Sequence, residues 1–438
     1  MKRPWNRLVP GPALLLVLCT VSAAAAPLDA TRVTLANGLR VVLAPDPNAL
    51  SVDAALWFPS GTRNERPPQA GLAVLAARLT FRNGADDPLA ALTAAGGTGG
   101  LTATPDYTSF SATVPVESLD LALDFLGQRL AAPPVTPAAL AAERAAMRAE
   151  RGRSERTPVT RSLAKLWSAA WPGHPYAQTG GSPAAGSDAL KPLDVEAWRR
   201  ARFAPGSAVL TLAGAFDPES ALAHVRARFE GRPRGTTATL AALPAPRGAT
   251  RLTDRIDSPA RLCLIGWRGP GAADADAPAC ELLAAWLGGG PEAKLGRSLV
   301  RDWQLAVTAQ AGFVPQRDGS LLWALAVVPP GVDSAAVERT LVDAAMGVTR
   351  DGPEAFELER ARRQVVASSA FALQTSRQRS QALGEAELLG GDASVAARRL
   401  AALDRVTRDD LRRVAARVMT ASNRATVWML AAPAGGAR

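Results

Sequence analysis

Two interleaved helical spacings run through residues 71 to 81. Leu72, Leu75, Ala76 and Leu79 recur at i, i+3, i+4 and i+7, and Val74, Ala77, Arg78 and Phe81 repeat that spacing on a second face. The period predicts a helix packed on a core. Apolar positions on two faces bury most of it and leave Arg78 as its one charge. Upstream, TRVTLANGLRVVLAP and SVDAALWF predict strands between residues 30 and 59, with Asn37-Gly38 as a turn. Downstream come a short helix, PLAALTAAG, and a glycine-rich turn at Gly96, Gly97, Gly99 and Gly100. A hairpin, LTATPDYTSFSATVP, follows, in which Pro105 is expected to interrupt the ladder. The amphipathic helix VESLDLALDFLGQRL and the longer helix TPAALAAERAAMRAERGRSE complete this stretch. The strand SAVLTLAGAFD, residues 207 to 217, closes the first half.

Residues 231 to 250 are rich in Pro, Gly and Thr, show no periodicity and read as a linker. Beyond it the pattern returns. ARLCLIGWRGPG echoes SVDAALWFPSG, LLWALAVVPPGVDSAAVERTLVDAA echoes SFSATVPVESLDLALDFL, and GPEAFELERARRQ echoes TPAALAAERAAMR. Finally, DDLRRVAARVMTASNRATVWML echoes VEAWRRARFAPGSAVLTLAG. Two copies of one unit indicate a duplicated fold, with domains at residues 28–230 and 251–433.

The first 25 residues have a basic start, a short apolar run and small residues before a cleavage point after Ala24 or Ala25. They read as a secretory signal peptide, because the apolar run is too short to span a membrane. Cys19 lacks the preceding small residue of a lipoprotein site. An exported, soluble protein is the expectation, periplasmic in a Gram-negative source. Without the signal's Lys2, Arg3 and Arg7, the net charge of +10 falls to +7, with 47 basic residues against 40 acidic. The basic residues are scattered among acids with no aromatic interleaving, which argues against nucleic acid. Cys263 and Cys280 remain after processing; export permits a disulfide between them, and two buried thiols are the alternative. His174 lies in a loop and is expected to pack there, and His224 sits on an amphipathic helix that it is expected to cap or pack. The two are fifty residues apart and lack the spacing of a helical metal site.

The stretch LANGLRVVLAPDPNALSVDAALWFPSGTRNERPPQAGLAVLAARLTF resembles the start of an insulinase/pitrilysin-type (inverted zincin) metallopeptidase domain. H-P-Y at 174–176 and E-R-x-x-x-x-x-E at 143–150 extend the likeness, which covers essentially the whole mature chain. The resemblance implies an α+β fold of two homologous domains. Each would be a mainly antiparallel sheet covered by helices, and the pair would form a clam-shell. Active members carry H-x-x-E-H on the helix described above, where two imidazoles hold zinc and the Glu activates water. Those three places hold Val74, Ala77 and Arg78 here. Neither an isopropyl nor a methyl group has a lone pair for zinc, and a guanidinium repels a cation. No zinc or other cofactor is therefore expected.

Glu150 matches the family's third zinc ligand, and Glu143 begins the same motif. The two could be solvated helix carboxylates, or Arg78 could pair with Glu150 as a cation standing where zinc would sit. In active relatives the strand after the glycine turn is an edge that pairs with peptide. Gly100-Leu101 replaces the usual Asn-Ala there, which weakens that edge. The family's peptide contacts in the second domain come from an Arg and a Tyr. In SLVRDWQLAVTAQ, Arg301 is present and Val307 stands at the Tyr position. A grip on peptide oxygen and a surface ion pair are both open to Arg301.

These features suggest a non-catalytic subunit that assembles with an active zinc peptidase of the family and helps hold peptide. A stand-alone peptide-binding or assembly protein of the envelope is the alternative. A working zinc metalloendopeptidase is least favoured, and no G-x-S-x-G elbow, phosphate-cradling loop or dinucleotide fingerprint offers other chemistry.

Overall fold

A computed structural model describes residues 28–66, 69–85, 87–131, 133–179, 185–236, 248 and 250–432. The expected signal peptide lies outside the described residues, as does most of the expected linker.

The first half builds a six-stranded sheet from β1 (Thr31–Thr34), β2 (Arg40–Pro45), β3 (Ser51–Phe58), β4 (Thr98–Ala103), β5 (Thr108–Pro115) and β6 (Val209–Gly214). Their order is β1-β2-β6-β3-β5-β4, with only β2 and β6 parallel. The helices are α1 (Leu72–Arg82), α2 (Ala90–Ala94), α3 (Leu119–Arg129), α4 (Pro137–Arg156), α5 (Pro158–Ala170), α6 (Pro192–Arg202) and α7 (Pro218–Phe229). The second half has β7 (Arg251–Ile256), β8 (Arg261–Gly269), β9 (Thr308–Pro315), β10 (Ser320–Val328) and β11 (Arg424–Ala431). With them go α8 (Ala277–Gly288), α9 (Ser334–Asp351), α10 (Ala355–Phe371), α11 (Ser376–Leu389), α12 (Ser394–Arg405) and α13 (Arg408–Val418). Its sheet runs β7-β11-β8-β10-β9, again with one parallel pair, β7 and β11. Strand for strand this is the order β2-β6-β3-β5-β4 of the first half, so the sequence echoes correspond to a repeated topology.

Period-two burial splits each sheet into two faces. Ala54, Leu56 and Phe58 of β3 join a core with helices of the first half, notably α1, α3 and α6. Cys263, Ile265 and Trp267 of β8 do the same with helices of the second half. The opposite faces are covered across the halves. Leu166, Trp167 and Trp171, on or just beyond α5, pack on Leu262, Leu264, Val427 and Met429 of the second sheet. In return, Leu383 and Leu388 of α11 pack on Val42, Ala55, Trp57 and Val209 of the first. Each large side chain buried in this way contributes roughly 1.5–3 kcal/mol. Parting the halves would therefore forfeit more than the roughly 5–15 kcal/mol of net stability of a typical domain.

Several local expectations change. Gly99 and Gly100 lie within β4 rather than in a turn, so only Gly96 and Gly97 make the bend. Pro105 falls in the turn after Ala103 and leaves the β4–β5 ladder intact. His224 is half-exposed on α7, and its Nδ1 contacts Asp120 of α3. Cys263 and Cys280 are free and buried, and burial pushes the Cys280 thiol up to about 12. His174 packs as expected, its Nδ1 accepting the Tyr176 N–H at 3.1 Å and its ring 4.7 Å from those of Trp171 and Tyr176. No helix among the described residues is long and apolar enough to cross a membrane.

Candidate functional site: the seam between two helices

Helix α1 begins where the Glu65 carboxylate accepts the Gly71 and Ala73 N–H groups at 3.0 and 2.8 Å. Burial nonetheless pushes Glu65 up to about 7. The far end of α1 is fixed by two arginines, Arg129 buried and Arg199 half-buried. Arg129 donates to the Phe81 carbonyl at 2.8 Å and lies 3.4 Å over the Phe125 ring, and burial lowers its pKa to about 10. Arg199 donates to Thr80 Oγ1 at 2.8 Å and is likewise lowered to about 10 by burial. Between these ends Leu72, Leu75, Ala76 and Leu79 sit in the core, so the rotation of α1 is set by packing.

The α4 helix starts at Thr136, which accepts the Ala139 N–H and precedes Pro137 at the first helical position. Its i, i+4, i+7 spacing puts Glu143, Met147 and Glu150 on the face that meets α1. Met147 is buried in the same core as α1. Arg78 bridges this face: Nε donates to Glu143 Oε2 and Nη1 to Glu150 Oε2, both at 2.7 Å. Arg82, one turn on, donates from Nε to Glu143 Oε1.

The Arg78–Glu150 contact is thus present, but the deeper partner is Glu143. Its side chain is 2 % exposed, against 48 % for Glu150, so it is no solvated helix carboxylate. Burial would raise Glu143, and the hydrogen bonds and charges of Arg78 and Arg82 overcome it and hold the carboxyl below its ordinary value. Burial likewise opposes the charge on Arg78, and the two carboxylates outweigh it and raise its pKa. Arg82 and the depth of Glu143 were not picked out from sequence. The signal was there, since Arg82 is i+4 from Arg78 and Glu143 is i−4 from the apolar Met147.

Val74 is half-buried against the core and Ala77 is fully buried. The α1 face that meets α4 therefore offers two hydrocarbon groups and a guanidinium already hydrogen-bonded to both carboxylates. Among the described residues no three His, Cys, Asp or Glu side chains gather as a metal would require. The residues present do not fit a zinc ion, whose ligands must offer lone pairs. Among the described residues they form an ion cluster in which Arg78 and Arg82 meet Glu143 and Glu150.

Arg301 lies apart from this seam in its contacts. It is on a π-helical turn, Gly296–Asp302, with its side chain 57 % exposed and bonded to Asp302 at 3.0 Å and Glu292 at 3.3 Å. Val307 and Trp303 nearby are exposed as well. Strand β4 is an edge of the first sheet, and Gly100 on it faces the Arg377 guanidinium.

Family comparison agrees with this architecture. Residues 40–184 match the model for insulinase (peptidase family M16), and residues 189–365 match the model described as the peptidase M16 inactive domain. The chain belongs to the insulinase (M16) peptidase family. An uncharacterized zinc protease of Mycobacterium tuberculosis is 28 % identical to this M16 chain over 422 residues, 90 % of this chain and 92 % of the relative. One from Streptomyces coelicolor is 26 % identical over 407 residues, covering 89 % and 87 %. Among solved structures, a protease from Helicobacter pylori has a TM-score of 0.83 at 19 % identity, covering 92 % of this chain and all of that one. A chain of complex III2 from Candida albicans has a TM-score of 0.78 at 16 % identity, covering 91 % and 95 %. At such identities the structural likeness concerns the fold.

Proposed function

We propose that this M16 chain has lost zinc hydrolysis and acts as the non-catalytic partner of an active zinc peptidase of its family, helping to enclose and hold peptide. The observation that carries the proposal is the Arg78 guanidinium, which stands at a family ligand position and bridges Glu143 and Glu150. With Val74 and Ala77 at the other two motif positions, no imidazole binds a metal there and no carboxylate activates water. The supporting comparisons are of two kinds. The relatives at 26–28 % identity are named zinc proteases, so the zinc chemistry belongs to chains of this family. A fold neighbour comes from a multi-chain complex, which fits a role inside an assembly. Export to the periplasm is part of the proposal and rests on the first 25 residues.

A stand-alone peptide binder is the second reading, favoured by β4, an uncharged edge strand to which an extended peptide could add. One experiment separates these functions. The purified chain is assayed against quenched fluorescent peptides, alone and with a family member that has an intact H-x-x-E-H, with and without chelator. No cleavage alone and a stable complex that cleaves faster than the companion by itself are expected. Chelator-sensitive cleavage by the isolated chain would overturn the loss of activity. Peptide binding without any complex would select the second reading.

A further inference from the structure

In the first half α7 follows β6 and buries Ala221, Val225 and Phe229 in the core shared with α3. Asn37, in the turn between β1 and β2, donates to the Phe229 carbonyl at 2.7 Å, so α7 and that turn close one corner of the sheet together. In the second half β11 ends at Ala431, and among the described residues no helix follows it. The corner between α9, β7 and β11 is a cavity of about 480 Å³. We propose that this cavity binds a carboxylate presented by a peptide, at its C-terminus or on an acidic side chain. Trp428 lines it and belongs to the core under α9, whereas Val427 and Met429 face α5, so the cavity opens on the far side of the second sheet from α5. It is therefore separate from the α1 seam and the β4 edge. The proposal goes beyond the partner role and needs neither zinc nor a companion chain.

The two corners have the same strands and opposite chemistry. On the helix-covered face of the first sheet, β2 and β6 present Val41, Leu43, Leu210 and Leu212, all buried with α7. On that face of the second sheet, β7 and β11 present Arg251 and Arg424 beside Trp428. Hydrocarbon that a helix would cover is thus replaced by guanidinium that an anion would meet. Not all of this charge is free. Arg251 donates to both Glu338 oxygens at 2.6 and 2.8 Å, and the Trp428 indole donates to Glu338 Oε2 at 2.9 Å. Ser334 Oγ accepts from Arg261, and the Ala335 and Ala336 N–H groups at the start of α9 donate to Asp333. Arg424 is different. It is half-buried, and among the described residues it donates no hydrogen bond and forms no ion pair. It lies close enough to help hold Glu338 below its ordinary value, but the Glu338 oxygens already accept from Arg251 and Trp428.

The charge count selects the ligand. Arg251, Arg339 and Arg424 stand against Glu338 and Asp343 in the lining, which leaves one positive charge. A carboxylate cancels it, and its two oxygens match the planar fork of Arg424. A phosphate monoester would bring roughly 1.5–2 negative charges beside two carboxylates. Val342 and Ala335 give the rest of the ligand a hydrocarbon wall, and the volume lies within the roughly 300–1,000 Å³ of ligand cavities. The adjoining strand favours a peptide over a small acid. Among the described residues β7 is the outermost strand of its sheet. Thr426 N–H donates to the Thr250 carbonyl at 3.1 Å and Ala432 N–H to the Ile256 carbonyl at 2.8 Å. By the alternation of a parallel ladder, Arg251 and Thr253 turn their main-chain groups outward beside the cavity. On the matching edge of the first sheet, β1 pairs with β2. An extended peptide added to β7 would bring its carboxylate to the mouth lined by Arg251 and Arg424.

The test titrates the mature chain in a calorimeter with unlabelled hexapeptides of alanine, glycine and serine. One has a free C-terminal carboxylate, one is amidated, and one is amidated but carries a single glutamate. At least one carboxylate-bearing peptide should bind and the neutral amide should not; which of the two binds identifies the source of the carboxylate. Arg424→Gln should weaken binding at least tenfold, the loss of a charged hydrogen-bond partner. Arg424→Lys should recover part of it. Ala335→Trp, which fills the cavity without removing a cation, should weaken binding as well. Arg255→Gln, on β7 but outside the lining, should bind as the parent does, and melting midpoints confirm that each variant is folded. Binding at the β4 edge would be indifferent to the carboxylate and to Arg424. Equal affinity for the neutral amide, or no binding of either acid, would overturn the proposal. So would full affinity in both Arg424→Gln and Ala335→Trp, or an equal loss in Arg255→Gln.

Discussion

Helices α1 and α8 occupy the same place in the two copies of the repeat, each following the central strand and leaning on the long helix that comes later, yet they are fastened differently. On α8 the Trp286 indole donates to Glu357 Oε2 at 3.0 Å, and Arg297 from the following turn takes the other oxygen. One buried carboxylate, one neutral donor and one cation close that joint. On α1 the joint holds two carboxylates and two arginines, with Glu150 half in solvent. Packing two helices needs no more than the first arrangement. The α1 seam therefore carries one more carboxylate and one more guanidinium than the α8 joint.

The largest way to break the comparison is to put the donors back. Val74→His/Ala77→Glu/Arg78→His should make the seam retain zinc through Glu150 after dialysis. Micromolar affinity would correspond to roughly 8 kcal/mol of binding free energy, and zinc at a hundred times its Kd would stabilise the fold by about 2.7 kcal/mol. Metal content by emission spectroscopy is the check. If the triple variant holds no more zinc than the parent, the seam has lost the family geometry as well as the residues.

Next in size is the removal of one cation from each joint. Arg78→Ala leaves Glu143 buried with Arg82 alone, and a cost of about 3 kcal/mol is expected, at the low end for breaking a buried pair because Arg78 is partly exposed. Arg297→Ala leaves Glu357 with the Trp286 indole and the Glu354 N–H, so about 1–2 kcal/mol is expected. Urea unfolding measures both. Equal losses would mean that the α1 seam carries no extra electrostatic load. Replacing Arg78 and Glu143 together by leucine should recover most of the loss, since it removes the unpaired buried charge.

The starts of the two helices respond to pH with opposite sign. At α1, burial raises Glu65 to about 7, so the fold favours its neutral form. Its contribution is fully present below the ordinary value of 4.5 and is lost as pH rises through about 7, amounting to about 3 kcal/mol. At α8, Asp276 is hydrogen-bonded by Arg413, ion-paired with Arg417 and held below its ordinary 3.8. That contribution is present above 3.8 and is lost as pH falls through the lowered value. Glu65→Gln should therefore gain on the parent between pH 5 and 8, whereas Asp276→Asn should be weaker at neutral pH and converge with the parent only as pH falls below the ordinary carboxylate range. Melting midpoints across that range decide it, and parallel curves for Glu65→Gln and parent would remove the Glu65 claim.

The apolar spacing at residues 71–81 places α1 within one residue of its bounds, because a helix buried on two faces imposes its period on nearly every position. The repeat was legible from echoed segments, and the matching sheet orders follow it. The Arg78–Glu150 contact was legible too, since a lone charge on a buried helix must find a partner. The exchange of α5 and α11 was not. Amphipathic spacing tells that a helix has a sheet to cover but not which sheet, and that choice rests on Trp57 against Gly384 and Leu166 against Gly266. Gly99 and Gly100 misled for a similar reason. Glycines signal a turn locally, while in β4 they sit against Leu89 and Arg377, where a side chain would collide.

The smallest expected effect on stability belongs to Arg301, which follows α8 as Arg78 sits on α1 but meets only Asp302 and Glu292, both at the surface. Exposed pairs of this kind contribute little to folding because water and salt screen them. Arg301→Ala should leave the melting midpoint where it is, in contrast to Arg78→Ala. If Arg301 grips peptide in the assembled pair, the same variant should raise KM for peptide and leave kcat alone, the signature of binding lost equally in ground and transition states. Lysine at this position should restore only part of the effect, since a point charge lacks the planar fork that matches carbonyl and carboxylate oxygen. An unchanged KM would assign Arg301 to the surface and leave peptide contact to the β4 edge.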